Sequence, residues 1–269
     1  MKKLKSPIPY FGGKHFLRNH IISRFPTHKT YVEVFGGSAT VLLGKKPSPV
    51  EVYNDLDQAV VNFFRVLRDE KKNEKLRRKL FLTPYSRAEL NRCLAVMRDG
   101  RMQEIERARA FFVVARQCRG GTNSSGWRQT SQSSRRGLAQ SVSSWLNAVD
   151  LLPELIERLK RVQIECSDFR KIFDLYDSPE ALLYLDPPYV HSTRRSGGYA
   201  HEMTDDDHHE LVERLLAMKG KAILSGYQNK IYTRLEKRGW KREDITTTSF
   251  ISTLRDTRVE SLWLSPNAH

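Results

Sequence analysis

Short runs of apolar, mostly β-branched residues recur along the chain between charged stretches. Several of these runs are apolar at consecutive positions, which is typical of strands in a sheet covered on both faces, and segments with helical periodicity lie between them. This alternation predicts an α/β fold with a doubly wound sheet. The predicted strands are residues 31–34, 50–53, 162–166, 182–185, 222–225 and a last one near 259–264.

One long segment breaks this alternation. Within residues 57–149 the apolar positions recur at the spacing of a helix, which predicts a mostly helical insert. We therefore divide the chain into an α/β domain, residues 1–56 and 150–269, and an inserted helical domain, residues 57–149. The positions that carry the pattern are Val60, Phe63, Phe64, Leu67, Ile105, Ala108, Phe111 and Phe112.

Composition indicates the cellular compartment and argues against a membrane-spanning or secreted protein. Apolar residues make up 39% of its 269 residues, and no apolar run approaches the roughly 18 residues that would span a bilayer, so no membrane partner is expected. The amino terminus reaches Pro7 before any apolar stretch, which argues against a secretory leader. The three cysteines are far apart and odd in number, which favours a reducing, cytoplasmic compartment and argues against a zinc site.

The distribution of charge favours a polyanionic partner. The net charge is +15, an excess that promotes association with nucleic acid. Residues 120–134 are dense in small polar side chains, which indicates an adaptable hydrogen-bonding loop, with a disordered, solvated loop as the alternative. Residues 107–149 contain no Asp or Glu but include Arg107, Arg109, Arg116, Arg119, Arg128, Arg135 and Arg136.

A glycine-containing turn follows the first predicted strand. Gly36 and Gly37 would let the backbone approach a ligand, and the helix predicted to begin at Ser38 would offer N–H groups to a carboxylate or phosphate. Asp55 ends the next strand, where an acidic residue commonly accepts hydrogen bonds from the ribose of a nucleoside cofactor. Asp57 is expected in the first turn of the following helix. A purely structural turn is the alternative.

The most specific string is Asp186-Pro187-Pro188-Tyr189, which follows an apolar strand. It arises by chance in on the order of one chain in a thousand of this length. An α/β sheet places its ligands at the carboxyl ends of its strands, and the prolines make a rigid platform. An arylamine nitrogen is a poor nucleophile, so Asp186 and the Pro187 carbonyl are candidate acceptors for its protons, with Tyr189 as a stacking face for an extruded base. A structural turn is again the alternative.

The chain resembles the Dam-like DNA adenine methyltransferases over nearly its whole length. The resemblance implies a Rossmann-like methyltransferase fold that transfers a methyl group from S-adenosylmethionine to the N6 amino group of adenine in double-stranded DNA, with base flipping. It also implies that the insert is the target-recognition domain. The motifs that carry it are Tyr10-Phe-Gly-Gly-Lys14, Glu33-Val-Phe-Gly-Gly-Ser-Ala39, Asn54-Asp55, the basic insert and Asp186-Pro-Pro-Tyr189.

The resemblance further implies site residues, with no metal among the expected cofactors. Tyr10, Lys14, Asp55 and Asp186 would contact S-adenosylmethionine, and Asp168 and Phe169 would border its adenine. The cofactor site is also expected to include Glu33, Phe35 and Gly37. The arginines expected to contact DNA are Arg116, Arg119, Arg128, Arg135 and Arg136 in the insert and Arg194 and Arg195 beyond the Asp-Pro-Pro-Tyr motif.

Several alternatives remain. Enzymes that methylate the cytosine amino group usually have Ser where this chain has Asp186. RNA as the substrate is compatible with the charge. A DNA-binding regulator that retains the fold without activity is disfavoured by four intact residues, Asp186, Tyr189, Lys14 and Asp55. The loop at 120–136 does not resemble the recognition hairpin of enzymes that methylate GATC, so the target sequence is open, as is the oligomeric state.

Histidines and acids also cluster at residues 201–209 and raise the possibility of a metal site. Thr204 followed by Asp207 instead predicts the capped start of a helix with acids in its first turn.

Overall fold

The structure is a computed structural model that describes residues 4–10, 12–99, 101–119, 121, 126–135, 137–193, 201–249 and 256–268. The chain divides into two compact units. Unit 1 consists of Met1–His15, Gly37–Lys45 and Asp57–Cys166, and unit 2 consists of Phe16–Gly36, Lys46–Leu56 and Ser167–His269. Among the described residues, no helix is both long enough and apolar enough to cross a bilayer.

Helices and strands alternate in unit 2, whereas helices dominate unit 1. The strands are β1 (Thr30–Glu33), β2 (Val50–Asn54), β3 (Ser134–Arg135), β4 (Leu138–Ala139), β5 (Val162–Glu165), β6 (Ala181–Leu185), β7 (Lys221–Gly226), β8 (Lys241–Ser249) and β9 (Asp256–Leu264). The α-helices are α1 (Arg18–Ser23), α2 (Thr40–Gly44), α3 (Gln58–Arg68), α4 (Glu70–Leu82), α5 (Arg87–Arg98), α6 (Glu104–Gln117), α7 (Gln140–Asp150), α8 (Leu152–Leu159), α9 (Phe169–Tyr176), α10 (Asp205–Ala217) and α11 (Thr233–Glu236).

Unit 2 contains a mostly parallel sheet, as predicted. Its strands are hydrogen-bonded in the order β2-β1-β6-β7-β9-β8, and the first four run parallel while β9 is antiparallel to both of its neighbours. The chain passes from β1 outward to β2 and later returns to β6 on the other side of β1. The strand order therefore reverses between β1 and β6, the kind of point where open α/β sheets bind ligands.

The core of unit 2 explains why its central strands were recognisable in the sequence. All five residues of β6 are buried, because neighbouring strands flank it and side chains cover both faces. Residues of α9 and α10 share a buried apolar cluster with β1, β6 and β7. This cluster includes Val32, Leu183, Phe173, Leu211 and Leu224.

Unit 1 is held together by aromatic side chains at the predicted helical spacing. Phe63 on α3 stacks on Phe112 of α6, with ring centroids 5.4 Å apart and planes at 16°. Phe111 lies 5.7 Å from the same Phe63 ring. The short strands β3 and β4 form an antiparallel pair in this unit.

The boundaries of the two units differ from the predicted domain boundaries of 1–56, 57–149 and 150–269. Unit 1 also takes in α2, α8 and β5. Arg158 on α8 donates a hydrogen bond to the Leu42 carbonyl of α2 at 3.0 Å, and Arg68 on α3 donates to the Val162 carbonyl of β5 at 2.6 Å. These contacts join segments that are far apart in the sequence, so no local pattern indicates them.

All six predicted strands are present, whereas β3, β4 and β8 were not predicted, and β8 is the longest of these three. It begins Lys-Arg-Glu-Asp and lies last in the strand order. Charged side chains are typical of edge strands, where they discourage pairing with other chains, and they conceal the apolar alternation of a strand.

The predicted start of α10 is confirmed. The Thr204 hydroxyl accepts a hydrogen bond from the Asp207 backbone N–H at 3.1 Å, and the Asp207 carboxylate accepts one from the Thr204 N–H at 2.9 Å. This reciprocal capping box satisfies two of the N–H groups left open at a helix start.

Candidate active site

Three predicted site residues lie in line at the carboxyl ends of adjacent strands of unit 2. Glu33 on β1 is paired with Tyr53 on β2 and with Tyr184 on β6, so these three residues form one row across the sheet. Phe35, Asp55 and Asp186 each follow a member of this row by two positions. Because adjacent strands lie about 4.8 Å apart, this row places Asp55 and Asp186 on either side of Phe35, at the reversal of the strand order.

Asn54 ties this edge of the sheet together, a role that the sequence did not reveal. Its side chain is buried. The Nδ2 group donates to the carbonyls of Val34 and Ser167, and Oδ1 accepts from the Ser167 N–H, each at 2.9 Å. One amide thus connects the ends of β1 and β2 with the segment leading to Asp168.

Buried tyrosines and acids lie beneath this edge. The Tyr31 hydroxyl donates to the buried Glu33 carboxylate at 2.9 Å, and burial, followed by the charge of Glu33, raises the pKa of Tyr31. Burial also raises the pKa of Tyr184 and Tyr232, with the charge of Asp186 as the next cause for both. The phenols stay protonated at neutral pH, beside acidic residues.

The Asp186-Pro-Pro-Tyr189 motif follows β6 directly. Asp186 and Pro188 are half-buried, whereas Pro187 and Tyr189 are buried. Pro187 has no N–H group to compete for an acceptor. The motif thus sets a carboxylate at the carboxyl end of the central strand, on the same edge as Phe35 and Asp55.

Asp168 has a clear structural role at the start of α9. Its carboxylate accepts from the Arg170 N–H at 2.9 Å as the N-cap. The Arg170 guanidinium binds Asp168, Asp207 and Glu210, and its carbon lies 4.5 Å from the centre of the Phe169 ring. Phe169 is buried, with its ring centroid 6.0 Å from that of Phe35. Phe169, which was predicted to border the adenine of the cofactor, therefore contacts both Arg170 and Phe35.

The amino-terminal motif lies in unit 1. The Tyr10 hydroxyl donates to the Asp57 carboxylate at 3.2 Å, and the Lys14 ammonium donates to the Gly12 carbonyl at 3.0 Å. Asp57 is also the N-cap of α3, since it accepts from the Ala59 N–H at 2.9 Å, one residue before the predicted first turn. Tyr10 is thereby anchored to a helix start.

The two glycines after β1 leave room for neighbouring tyrosine rings. A Cβ on Gly36 would lie 2.2 Å from the Tyr53 ring, so only glycine fits at this position. Gly37 has a φ of +47° and lies against the Tyr10 ring. The helix α2 does not begin at Ser38 but at Thr40, because Ala39 has a left-handed φ of 55°. With five residues, α2 has a small macrodipole.

Two arginines of the basic block are engaged inside unit 1. Arg109 pairs with Glu89 and Glu106 at 2.5 Å. Arg116, a predicted DNA contact, donates to the Pro7 carbonyl and to the Ser144 carbonyl and hydroxyl. Burial lowers the pKa of Arg116 to about 10. The guanidinium of Arg116 is therefore committed to backbone and hydroxyl acceptors of its own unit.

The other predicted arginines are placed differently. Arg119 and Arg135 are exposed, and Arg128 is half-buried next to Trp127. Trp127 packs beside Tyr85 at 5.9 Å and carries the Arg87 guanidinium 4.8 Å above its ring. Arg136, Arg194 and Arg195 lie outside the described residues.

Comparisons with known proteins identify the family of this chain and show distant similarity to solved structures. Residues 10–249 match the D12 class N6 adenine-specific DNA methyltransferases. The modification methylase StsI of Streptococcus sanguinis is 34% identical over 70 residues, and that match covers 26% of this chain and 11% of the methylase. The chain thus spans about a tenth of the length of this curated relative.

Among solved structures, a protein described as an rRNA-methylase from Clostridium thermocellum matches over 98% of this chain and 100% of its own, with 8% identity and a TM-score of 0.38. The precorrin-6y C5,15-methyltransferase of Geobacter metallireducens GS-15 matches over 97% and 98%, with 10% identity and a TM-score of 0.39. Because both TM-scores are below 0.5, neither structure supports a statement about the function of this chain.

Proposed function

Because this chain belongs to the D12 class of N6 adenine-specific DNA methyltransferases, we propose that it transfers a methyl group from S-adenosylmethionine to the N6 amino group of adenine in double-stranded DNA. The observation that carries the proposal is the position of Asp186-Pro-Pro-Tyr189 at the carboxyl end of β6, where the strand order reverses. The enzyme would act in the cytoplasm of a bacterial or phage-infected cell.

The residues of unit 2 fit a nucleoside cofactor that carries a positive charge. Asp55 follows β2 and suits the ribose hydroxyls, since a carboxylate accepts two hydrogen bonds from a vicinal diol. Phe35 and Phe169, 6.0 Å apart, suit the adenine. Asp186 and the buried Glu33 make the edge negative, which suits a sulfonium. Tyr10, Lys14 and Gly37 of unit 1 are proposed as cofactor contacts on the family motifs alone.

The chain's part in the chemistry is to orient the amino group. When bound, S-adenosylmethionine supplies an electrophilic methyl group. The Asp186 carboxylate and the Pro187 carbonyl would accept hydrogen bonds from the two amino protons, which takes the nitrogen lone pair out of conjugation with the ring and turns it towards the methyl group. The carboxylate would also balance the positive charge that grows on nitrogen.

The target base must leave the duplex to reach Asp186. The proposal therefore includes base flipping, with Tyr189 as the surface on which the adenine stacks. The helical unit 1 is proposed to bind the duplex and select its sequence, with Arg119, Arg128 and Arg135 as candidate contacts among the described residues.

The test follows methyl transfer to DNA that lacks adenine methylation. Purified protein is incubated with radiolabelled S-adenosylmethionine and DNA from a methylation-deficient bacterium, and the DNA is digested to nucleosides. The expected product is labelled N6-methyldeoxyadenosine. Sequencing for modified adenine then identifies the recognition sites. Label on cytosine, label on RNA only in a parallel reaction, or no label would contradict the proposal.

A further inference from the structure

Two residues outside the sequence motifs contact Tyr189 in unit 2. The Tyr189 hydroxyl donates a hydrogen bond to Oε2 of Glu260 at 3.1 Å. The Tyr227 ring meets the Tyr189 ring in a T-shaped arrangement, with centroids 4.7 Å apart and planes at 71°. Tyr189 is 6% exposed, while Tyr227 and Glu260 are half-buried. One polar and one aromatic contact thus hold the same ring.

The sheet brings these residues to the end of β6. β7 lies parallel to β6, so the chain leaves both strands in the same direction. β9 runs antiparallel to β7, and their pairing ends with Gly226 opposite Ser261. Tyr227 directly follows β7, and Glu260 is the β9 residue before Ser261, so the two residues lie level with each other just beyond the end of β7.

We propose that Glu260 is a positioning residue for methyl transfer: its carboxylate fixes the Tyr189 ring against Tyr227, so that the ring offers one orientation to the flipped base. The inference rests on the proposed function. A tyrosine ring turns about two side-chain bonds, and a hydrogen bond at its hydroxyl together with an edge contact at its ring removes both freedoms. Reacting groups lose rate steeply when they are displaced by about 1 Å.

A role in positioning differs from a role in stability. Removing Glu260 takes this acceptor from the buried Tyr189 hydroxyl and also costs folding free energy, so stability is measured separately from the rate. A glutamine at position 260 keeps the acceptor oxygen without the charge, and a phenylalanine at position 189 keeps the ring without the hydroxyl. These two substitutions separate the hydrogen bond from the charge and from the aromatic packing.

The experiment compares Glu260→Ala, Glu260→Gln, Tyr189→Phe and the double variant Glu260→Ala/Tyr189→Phe. Glu243→Ala is the matched control, since Glu243 lies on the neighbouring strand β8 and pairs with Arg24. The single-turnover rate of methyl transfer to unmethylated bacterial DNA is measured at saturating S-adenosylmethionine. The cofactor Kd without DNA and the thermal unfolding of each variant are measured in parallel.

We expect Glu260→Ala to slow transfer about tenfold without changing the cofactor Kd. Glu260→Gln should stay within about threefold of the wild type, because its amide oxygen accepts the same hydrogen bond. Tyr189→Phe should match Glu260→Ala, and the double variant should be no slower than either single one, since all three lack the same bond. Glu243→Ala should transfer at the wild-type rate.

Any one of three results would overturn the inference. Glu260→Ala could transfer at the wild-type rate, the losses of the two single variants could multiply in the double variant, or the cofactor Kd could rise by as much as the rate falls. If Glu260→Ala does not fold, Tyr189→Phe decides, and a wild-type rate for that variant overturns it. A wild-type chain that methylates no adenine overturns the proposed function and this inference together. An active wild type with an unaffected Glu260→Ala overturns the inference alone.

Discussion

Residues differ in how much of their role the sequence reveals. The position of Asp186 at the end of β6 was predictable, because an apolar strand followed by Asp-Pro-Pro-Tyr is a local and rare pattern. Asn54 and Glu260 were not assigned their contacts, because their partners Ser167 and Tyr189 are 113 and 71 residues away. Hydrogen bonds across such separations leave no mark in the local sequence.

The role of Asp186 is testable by removing its carboxylate. We expect Asp186→Ala to fold normally and to lose at least about 10²-fold in turnover, because an aligned polar group acting on the transition state is lost. Methyl transfer to adenine is followed with labelled cofactor. The control is Asp174→Ala, which removes an exposed acid on α9. Activity within threefold of the wild type would disprove the assignment of Asp186.

Asp55 is the residue that we propose to contact the ribose. Asp55→Ala should raise the cofactor Kd by roughly tenfold or more, because a charged hydrogen-bond acceptor contributes about 1.5 to 3 kcal/mol. Calorimetry without DNA isolates this step. Asp57→Ala is the comparison, and it should lower the free energy of unfolding by about 1 kcal/mol because it removes the cap of α3. Weaker binding in Asp57→Ala with an unchanged Kd in Asp55→Ala would move the contact to Asp57.

At the scale of elements, strands buried on both faces were easier to predict than the turns and edges around them. β6 has five consecutive apolar residues, whereas β8 starts with four charged ones. The start of α2 was misplaced because the left-handed conformation of Ala39 depends on the tight turn around it and not on its own side chain. Capping chemistry was local, so α10 was placed correctly.

The contact between α9 and α10 makes stability depend on pH. The Arg170 guanidinium lowers the pKa of Asp207 to about 2 from an ordinary 3.8. A carboxyl with a depressed pKa stabilises the folded state above its unfolded pKa, and this contribution is lost as the pH falls from about 4 to about 2. Asp207→Asn should therefore lower the free energy of unfolding by about 2 kcal/mol at pH 7, and the difference should shrink on acidification.

Denaturant titrations of both proteins between pH 7 and pH 3 measure this difference. Asp206→Asn is the control, since Asp206 is an exposed acid in the same first turn and should contribute no more than about 1 kcal/mol through the helix dipole. A difference between wild type and Asp207→Asn that stays constant down to pH 3 would show that the ion pair with Arg170 does not stabilise the fold.

At the scale of the whole molecule, a charge of +15 predicted a nucleic-acid partner but not which cations face it. The arginine block has no acid of its own, yet Glu89 of α5 and Glu106 at the start of α6 neutralise Arg109. Composition counts charges along the chain, whereas pairing depends on helices that meet only after folding. The same limit applies to the unit boundaries, since α8 joins unit 1 through contacts with α2, α3 and α7.

Unit 1 should choose the DNA sequence through Arg119, Arg128 and Arg135, whereas Arg109 and Arg116 should hold its fold. We would replace Arg119, Arg128 and Arg135 singly by Ala. An arginine that reads guanine in the major groove gives about 1 to 3 kcal/mol of discrimination, whereas a phosphate contact gives none directly. At least one variant, with Arg128 the first candidate, should lose its preference for one base pair. The others should weaken all duplexes alike and flatten the salt dependence by about one unit each.

Arg109→Ala separates folding from recognition in the same unit. The side chains of Arg109 and Glu89 are only 13% and 12% exposed, and breaking a buried pair by removing one partner costs about 3 to 5 kcal/mol because the other charge is left uncompensated. The Arg109→Ala variant should have a lower free energy of unfolding, and its folded fraction should keep the wild-type base preference. Denaturant titrations measure the first effect, and methylation of cognate and one-base-altered duplexes at several salt concentrations measures the second.

The same methylation assay decides whether Arg119, Arg128 and Arg135 read the sequence. If Arg119→Ala, Arg128→Ala and Arg135→Ala all retain the wild-type base preference, these arginines do not read it, and Arg136, Arg194 and Arg195 become the arginines to test.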